Sequence, residues 1–416
     1  MILRLVVVVF TCFYCTVVTA QERITGTITL RDVISATLVS NPELDSFPLR
    51  EESLLGQRET ADLKPPLNFN AGVENAIGTG DLSGFSEAET TLSLSHVIEM
   101  GDKRPARIGV VNRRLELLET EKKVAELDLL TSATVRFIEV AVAQERVSLQ
   151  QQARDIAEQT VALLEPLVTA GQAPQLELLR ANAALSRAET ALRFSITSLD
   201  SVRVKLSSMW GSQNPLFERV DANLFSVGEP GNLAALLLAL ESNPEIELFA
   251  SEQRLREAQL QEAKAQSQSN IQWTAGIRHL KEINDTGLIF SISVPLFSKE
   301  RVSGAVRSAQ ANITEVETRR ITAINKMRGQ LYALNQQLDQ AIFEINTLQE
   351  EVIPLLRNVL TQTEEAFESG RYSYVELISA QREYLDAELS LINSTANAHI
   401  LRAEIERLSG EPLPVR

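Results

Sequence analysis

The sequence predicts a mainly α-helical chain with a small β part, built as a duplication in which long antiparallel helical hairpins alternate with paired strands. Three observations predict it. Two widely separated motifs recur at nearly one offset, and two runs of roughly 70 residues are almost free of glycine and proline. Four short segments alternate apolar with polar residues beside loop-forming sequence.

The repeat is read first from Ser40-Asn41-Pro42-Glu43-Leu44, which returns as Ser242-Asn243-Pro244-Glu245-Ile246 after 202 residues. Ala170-Gly171 followed by Glu177-Leu178-Leu179 then returns as Ser369-Gly370 followed by Glu376-Leu377-Ile378 after 199. Such agreement between distant offsets marks a tandem duplication. Residues 1–20 read as a leader, 21–210 and 232–410 as two repeats of one plan, 211–231 as a linker, and 411–416 as a tail.

In the leader, Arg4 precedes an apolar run from Leu5 to Val18 and the small-residue exit Val18-Thr19-Ala20, so cleavage is expected before Gln21. The run is too short to span a bilayer, and no later stretch approaches a spanning helix. Both cysteines, Cys12 and Cys15, fall inside it. Phe13 and Tyr14 stand before Cys15 where an acylation site needs small residues, so plain cleavage is expected.

The first repeat opens with a helix over Thr29–Leu63, carrying Leu30, Val33, Ile34, Thr37 and Leu38 at helical spacing and stopped by Pro65-Pro66. Strands follow at Leu67–Ile77 and Glu89–Ile98, around the loop sequence Gly78–Gly84. A helix then runs from Lys103 to Thr169, Gly171 breaks it, and a return helix covers Pro174–Trp210. The second repeat gives a helix over Asn232–Gln268, strands at Ile271–His279 and Leu288–Val294 joined by a turn at Asn284-Asp285-Thr286-Gly287, and a helical pair, Lys299–Glu368 and Ser373–Ser409. Pro354 is expected to kink the outbound helix.

Strands of about ten residues match the length of a tilted membrane strand. Four of them cannot close a transmembrane barrel, and lipid does not tolerate an open sheet edge. Either the strands lie outside the membrane or several chains share one barrel, three chains supplying twelve strands. In the last helix, Val375, Ile378, Leu385, Leu389, Ile392, Ala396 and Ala403 form one apolar file, and Leu377, Tyr384, Leu391, Ala398 and Ile405 a second. Two files imply neighbours on both sides, as in a ring of staves, with an ordinary bundle as the alternative.

The composition narrows the function. The net charge of −15, from 55 acidic against 40 basic residues, argues against nucleic acid and against a basic membrane-surface helix. Three histidines lie far apart, and no P-loop, G-x-S-x-G or H-E-x-x-H occurs, so neither catalysis nor a cofactor is expected.

The segment Leu94-Ser95-His96-Val97-Ile98-Glu99-Met100-Gly101-Asp102-Lys103-Arg104-Pro105-Ala106-Arg107 resembles the strand-to-helix junction of TolC-type outer-membrane factors. It looks most like the CzcC/CusC heavy-metal efflux branch, with its E-x-G-x-K-R-x-A-R pattern. Val294-Pro295-Leu296-Phe297-Ser298-Lys299 is similar to the family's P-L-F turn, and G-x(5)-E-L-L-x-A occurs at both Gly171 and Gly370. The resemblance spans the mature chain. It implies a homotrimer in outer-membrane lipid, with a twelve-stranded β-barrel and a long periplasmic α-barrel. It also implies a passive channel of a tripartite RND-type efflux system, partnered by a periplasmic adaptor (membrane fusion protein) and an inner-membrane RND transporter.

By the same resemblance, Gly171, Gln172, Gly370 and Arg371 are the adaptor-contact tips. Glu376 matches the first of the aspartates that narrow the tunnel in TolC, while Ser379 replaces the second. With Glu364, Glu365 and Glu368 on the preceding helix, the candidate lumen gate is Glu376, Glu368 and Glu365, a solvated helix face being the other reading. Divalent metal cations are the cargo implied. The chain has no cluster of Cys, His or Met to select them, so drugs or other small solutes stay open. A periplasmic coiled-coil adaptor or a structural coiled coil are the competing readings.

Overall fold

The computed structural model describes residues 25–296 and 298–410; the leader at 1–20 with Cys12 and Cys15, Phe297 of the second junction, and the tail at 411–416 lie outside the described residues. Strand β1 (Gly26–Ile28) leads into α1 (Leu30–Ser40), started by a capping box between Thr29 and Asp32. The single helix expected over Thr29–Leu63 is broken, because α2 begins only at Ser46 and ends at Asp62. Asn41 leaves the helix with ψ 123°, and Pro42 has no N–H with which to continue it. The second repeat breaks at the same place: α5 (Leu233–Ala239) closes in a tight turn, Asn243 follows, and α6 (Pro244–Ala265) starts on proline.

The repeated asparagine explains both breaks. The Asn41 side chain accepts from Glu43 N at 2.9 Å and donates to Met209 O at 2.8 Å. Asn243 accepts from Glu245 N at 2.7 Å and donates to Arg407 O at 2.7 Å and Leu408 O at 3.0 Å. Asn243 thus caps the helix it precedes, Asn41 holds the turn between α1 and α2, and each satisfies a carbonyl at or just past the end of its repeat's return helix. Both are buried.

Strands β2 (Leu67–Glu74), β3 (Glu89–Ile98), β5 (Ile271–Leu280) and β6 (Asp285–Ser293) form one antiparallel sheet in the order β2-β3-β5-β6. Strand β2 stops short of Ile77, since Asn75 and Ile77 adopt positive φ of 53° and 60°. The second turn lies at residues 281–284, with Asn284 at φ 53°. Thr286 and Gly287, expected in that turn, instead pair with His279 and Arg278. A further, unexpected sheet pairs β1 in parallel with β4 (Phe217–Val220), inside the linker. Val220 N donates to Gln144 Oε1 at 2.8 Å and Gln144 Nε2 donates to Val220 O at 3.1 Å, so a helix side chain stands in for a third strand.

Helix α3 runs unbroken over Lys103–Thr169, its 67 residues spanning about 100 Å. Its return partner α4 covers Gln175–Ser207. The second outbound helix is interrupted: α7 (Ser298–Thr347), a π turn at Leu348–Val352, then α8 (Ile353–Glu368), followed by α9 (Tyr374–Ser409). Proline offers no N–H to the carbonyl four residues back, and for Pro354 that carbonyl, Glu350, sits in the wider turn.

The long helices act as through-staves. Toward the sheet, α3 is flanked by α2 and α6, and α6 by α7; toward the hairpin ends, α3 is flanked by α4 and α9, and α9 by α7 and α8. Arg50 of α2 pairs with Glu121 of α3, and Thr120 of α3 bonds Ser251 of α6 at 2.9 Å. The file Leu377, Tyr384, Leu391, Ala398 and Ile405 is buried, mostly against α7 and α8. In the other file Ile392 packs against Ile138, Val142 and Leu149 of α3, so α9 has neighbours on both sides within one chain.

Candidate functional site

Both hairpins turn by the same backbone device. At the first end, Gln172 N donates to Leu167 O at 2.8 Å and Gly171 N to Val168 O at 3.0 Å; at the second, Arg371 N donates to Ala366 O at 2.8 Å and Gly370 N to Phe367 O at 2.9 Å. Each is a Schellman closure with glycine in the left-handed region, φ 71° at both Gly171 and Gly370. The two ends lie together, because Leu164 and Ala181 of the first hairpin share a cluster with Phe367, Tyr374 and Leu377 of the second. Gln172 and Arg371 are exposed beside Leu176, Leu179, Tyr372 and Val375, which leaves apolar surface at the end of the helical tower.

Glu376 is the N3 residue of α9. Its Oε2 accepts from Ser373 N at 2.6 Å and Ser373 Oγ at 2.5 Å, and these bonds hold its carboxyl below the usual carboxylate range. The sequence signal for this role is the pattern Ser-x-x-Glu at 373–376, which sequence reasoning passed over in favour of the gate. Glu365 and Glu368 are exposed on α8, within its last turn before Gly370. Half-buried Glu364 is pushed upward by burial and by the charge of Glu368. The structure therefore brings Glu364, Glu365, Glu368 and Glu376 to one hairpin end.

At the opposite end, the sheet separates its faces by the period of two. Phe69, Leu94, Ala275 and Phe290 share one row, and Ala71, Leu92, Ile277 and Leu288 the next. This apolar face is bare, with Leu288 90% exposed and Phe290 68%. Trp273 and His96 meet edge-to-face on it, near the helices. The other face carries Asn68, Asn70, Ser93, Ser95, Thr274 and Ser291. Strands β2 and β6 each keep one edge unpaired among the described residues.

Beneath the sheet, each polar member of the first junction motif has a task that sequence reasoning missed. Arg107 donates to both oxygens of Glu99, at 2.5 and 3.0 Å, and this pairing holds the Glu99 carboxyl low. Buried Lys103 donates to Asn270 Oδ1 at 2.6 Å, tying α3 to the entry of β5, and burial lowers its pKa. Arg104 grips Asp62 at the end of α2. Gly101 has φ 76°, and a Cβ there would lie 2.2 Å from Gln268.

At mid-height, His399 of α9 meets Leu224 O at 2.8 Å through Nε2. A carbonyl only accepts, so Nε2 carries the proton. Burial, followed by the nearby Arg402, lowers its pKa. Among the described residues no group of three His, Cys, Asp or Glu is placed to hold a metal ion, and no helix is long and apolar enough to cross a membrane.

Comparison with known proteins places this architecture. CzcC, a cobalt-zinc-cadmium resistance protein of Cupriavidus metallidurans, is 23% identical over 385 residues, covering 92% of this chain and 90% of that protein. A crystal structure of CusC superposes with a TM-score of 0.76 at 17% identity, covering 93% of this chain and 94% of CusC. The outer-membrane protein VceC of Vibrio cholerae gives a TM-score of 0.69 at 17% identity over 92% of this chain and 97% of that one. The fold is thus the TolC-like duplicated fold. The outer membrane efflux protein family model matches residues 33–212 and 235–411, one match to each repeat, which sets aside the adaptor and structural coiled-coil readings. The chain belongs to the outer membrane efflux protein family, channels that sit in the outer membrane with a long helical domain in the periplasm.

Proposed function

We propose that three copies of this chain form the exit duct of a tripartite efflux system, a passive conduit carrying small solutes from the periplasm to the exterior. The four-stranded sheet supports this most directly. It has one bare apolar face, one polar face and two open edges, and lipid accepts such a sheet only when the edges are closed by other strands. Three copies supply twelve strands, an even number within the range of outer-membrane barrels. The outer flanks of the helical tower agree: Ile196 and Val204 of α4 and Tyr332, Leu355 and Val359 of α7 and α8 are exposed.

In this reading Gly171, Gln172, Gly370 and Arg371 turn toward a periplasmic adaptor, with Leu176, Leu179 and Val375 as apolar contact. Glu365, Glu368 and Glu376 from three copies form an acidic collar at the duct's entrance, where Glu376, fixed by Ser373, supplies charge of settled position. The cargo is divalent metal cations delivered by an RND transporter, on the strength of the cobalt-zinc-cadmium resistance relative.

Extraction and sizing test the duct. Expressed with its leader in a Gram-negative host, the chain is expected in the outer-membrane fraction as a detergent-dependent particle of three chain masses by light scattering. A soluble periplasmic monomer overturns the reading. For the cargo, loss of the chain is expected to lower tolerance to zinc, cobalt or cadmium while leaving drug tolerance unchanged, and the reverse pattern assigns an organic cargo.

A further inference from the structure

The polar face of the sheet is uncharged along most of its length and charged at one end. From the helices outward to the row Asn70, Ser93, Gly276 and Ile289, no side chain on this face is ionisable. The next row sets Arg278 beside Thr91 between two glycines, Gly72 and Gly287, and the last row holds Glu74, Glu89 and Asp285. The β2–β3 loop and the β5–β6 turn leave from this end, while the long helices attach to the other. In the duct the charged rows therefore sit at the exterior mouth.

Arg278 is built into this end. Its Nη1 donates to Glu89 Oε2 at 3.0 Å, its Nε donates to Thr91 Oγ1 at 3.2 Å, and its Nη2 lies 3.9 Å from Glu74 Oε2. The second oxygen of Glu89 accepts from Asn75 Nδ2 at 3.0 Å, a side chain placed by Asn75's positive φ. The flanking glycines leave open space beside the guanidinium. Arg278 is the one cation on the strand residues of this face, facing three carboxylates.

We propose that Arg278, Glu74, Glu89 and Asp285 form a charge ring at the outer mouth that passes hydrated cations more readily than anions, with Arg278 setting its strength. The inference rests on the trimeric-duct reading, in which the ring repeats three times around one opening. Each copy then adds carboxylate in excess over Arg278 to the mouth, and the summed negative potential favours a passing cation over an anion. The uncharged rows beneath contribute nothing that would offset it.

A thiol placed inside the mouth reads this field without depending on whether the periplasmic end is open. Ser93→Cys sits on the polar face one row inside Arg278, and Leu92→Cys sits on the apolar face. The full chain in detergent is reacted with trimethylammonioethyl and sulfonatoethyl methanethiosulfonate, similar in size and opposite in charge. Their rate ratio is taken relative to free cysteine. At Ser93→Cys the cation is expected to be favoured about threefold or more, Arg278→Gln to raise that preference about threefold further, and Glu89→Gln to lower it. Arg278→Lys keeps the original ratio, which separates charge from packing. Salt at about 1 M brings all ratios toward that of free cysteine. A free-cysteine ratio at Ser93→Cys, unchanged by Arg278→Gln, overturns the ring and leaves the duct standing. Labelling at Leu92→Cys with none at Ser93→Cys inverts the faces and overturns the duct itself.

Discussion

The two return helices descend from one ancestral segment and now lead different lives. In α9, 17 of 36 residues are buried, between α3 on one side and α7 and α8 on the other. In α4 only Ala181, Leu206 and Ser207 of 33 are buried, because α3 is the long helix that flanks it along its length, while α8 and α9 join it in a shared cluster at the hairpin end. Duplication thus made one interior stave and one edge stave from the same pattern. The difference teaches that a stave's sequence is read by its neighbours, and that α4 carries apolar surface a single chain leaves uncovered.

Cutting into each stave should break this contrast most sharply. Leu391→Ala, inside the α9 core, is expected to cost about 2–5 kcal/mol and lower the thermal unfolding midpoint. Ile196→Asp, on exposed α4, is expected to leave the helical circular dichroism signal intact while light scattering shows loss of the proposed trimer. An unchanged trimer would remove α4 from the subunit interface.

A smaller effect comes from acid, since α9 half-buries an imidazole and α4 buries no ionisable group. Burial and Arg402 hold folded His399 below its unfolded value of 6.5. Its stability contribution is therefore complete above that pH and declines as pH falls toward the folded pKa. Asp221 and Glu406 also face this space, so the comparison needs His399→Gln beside the parent. The parent's unfolding midpoint is expected to fall more between pH 7.5 and pH 5.5 than that of the variant.

The smallest effect separates the hairpin ends. Ser373→Ala removes the capping box that α4, which starts after Pro174, does not have, and is expected to cost about 1 kcal/mol. Hydrogen exchange should rise in the first turn of α9 and stay unchanged in α4. Equal exchange in both would deny the cap its local role.

Much of this fold was legible because its signals are local. Helix α3 begins and ends at the expected residues, Lys103 and Thr169, since glycine at both flanks punctuates a long uninterrupted pattern. Gly171 and Gly370 announced their turns through the positive φ that other residues resist. The break at Asn41-Pro42 was present in the sequence as a repeat marker, yet its meaning depends on Met209, far along the chain. The β1–β4 pair stayed hidden because strands of three and four residues carry no periodicity, and their partners, including Gln144, come from distant segments. Of the candidate site, the turns were readable from one chain. The acidic residues were not, because whether Glu365 and Glu368 face a lumen is a property of several chains together.

The asparagine joints carry a historical consequence. Asn41 reaches Met209 across 168 residues and Asn243 reaches Arg407 across 164, so each repeat is buckled to itself, start to finish. A gene of half this length would already encode a buckled unit with one strand pair and one helical hairpin. In the proposed trimer, six such units would supply twelve strands as well as three fused pairs would. Fusion would then not be needed to close such a ring; what it gives is one gene with two positions in the wall, where the more buried α9 and the more exposed α4 can differ in sequence.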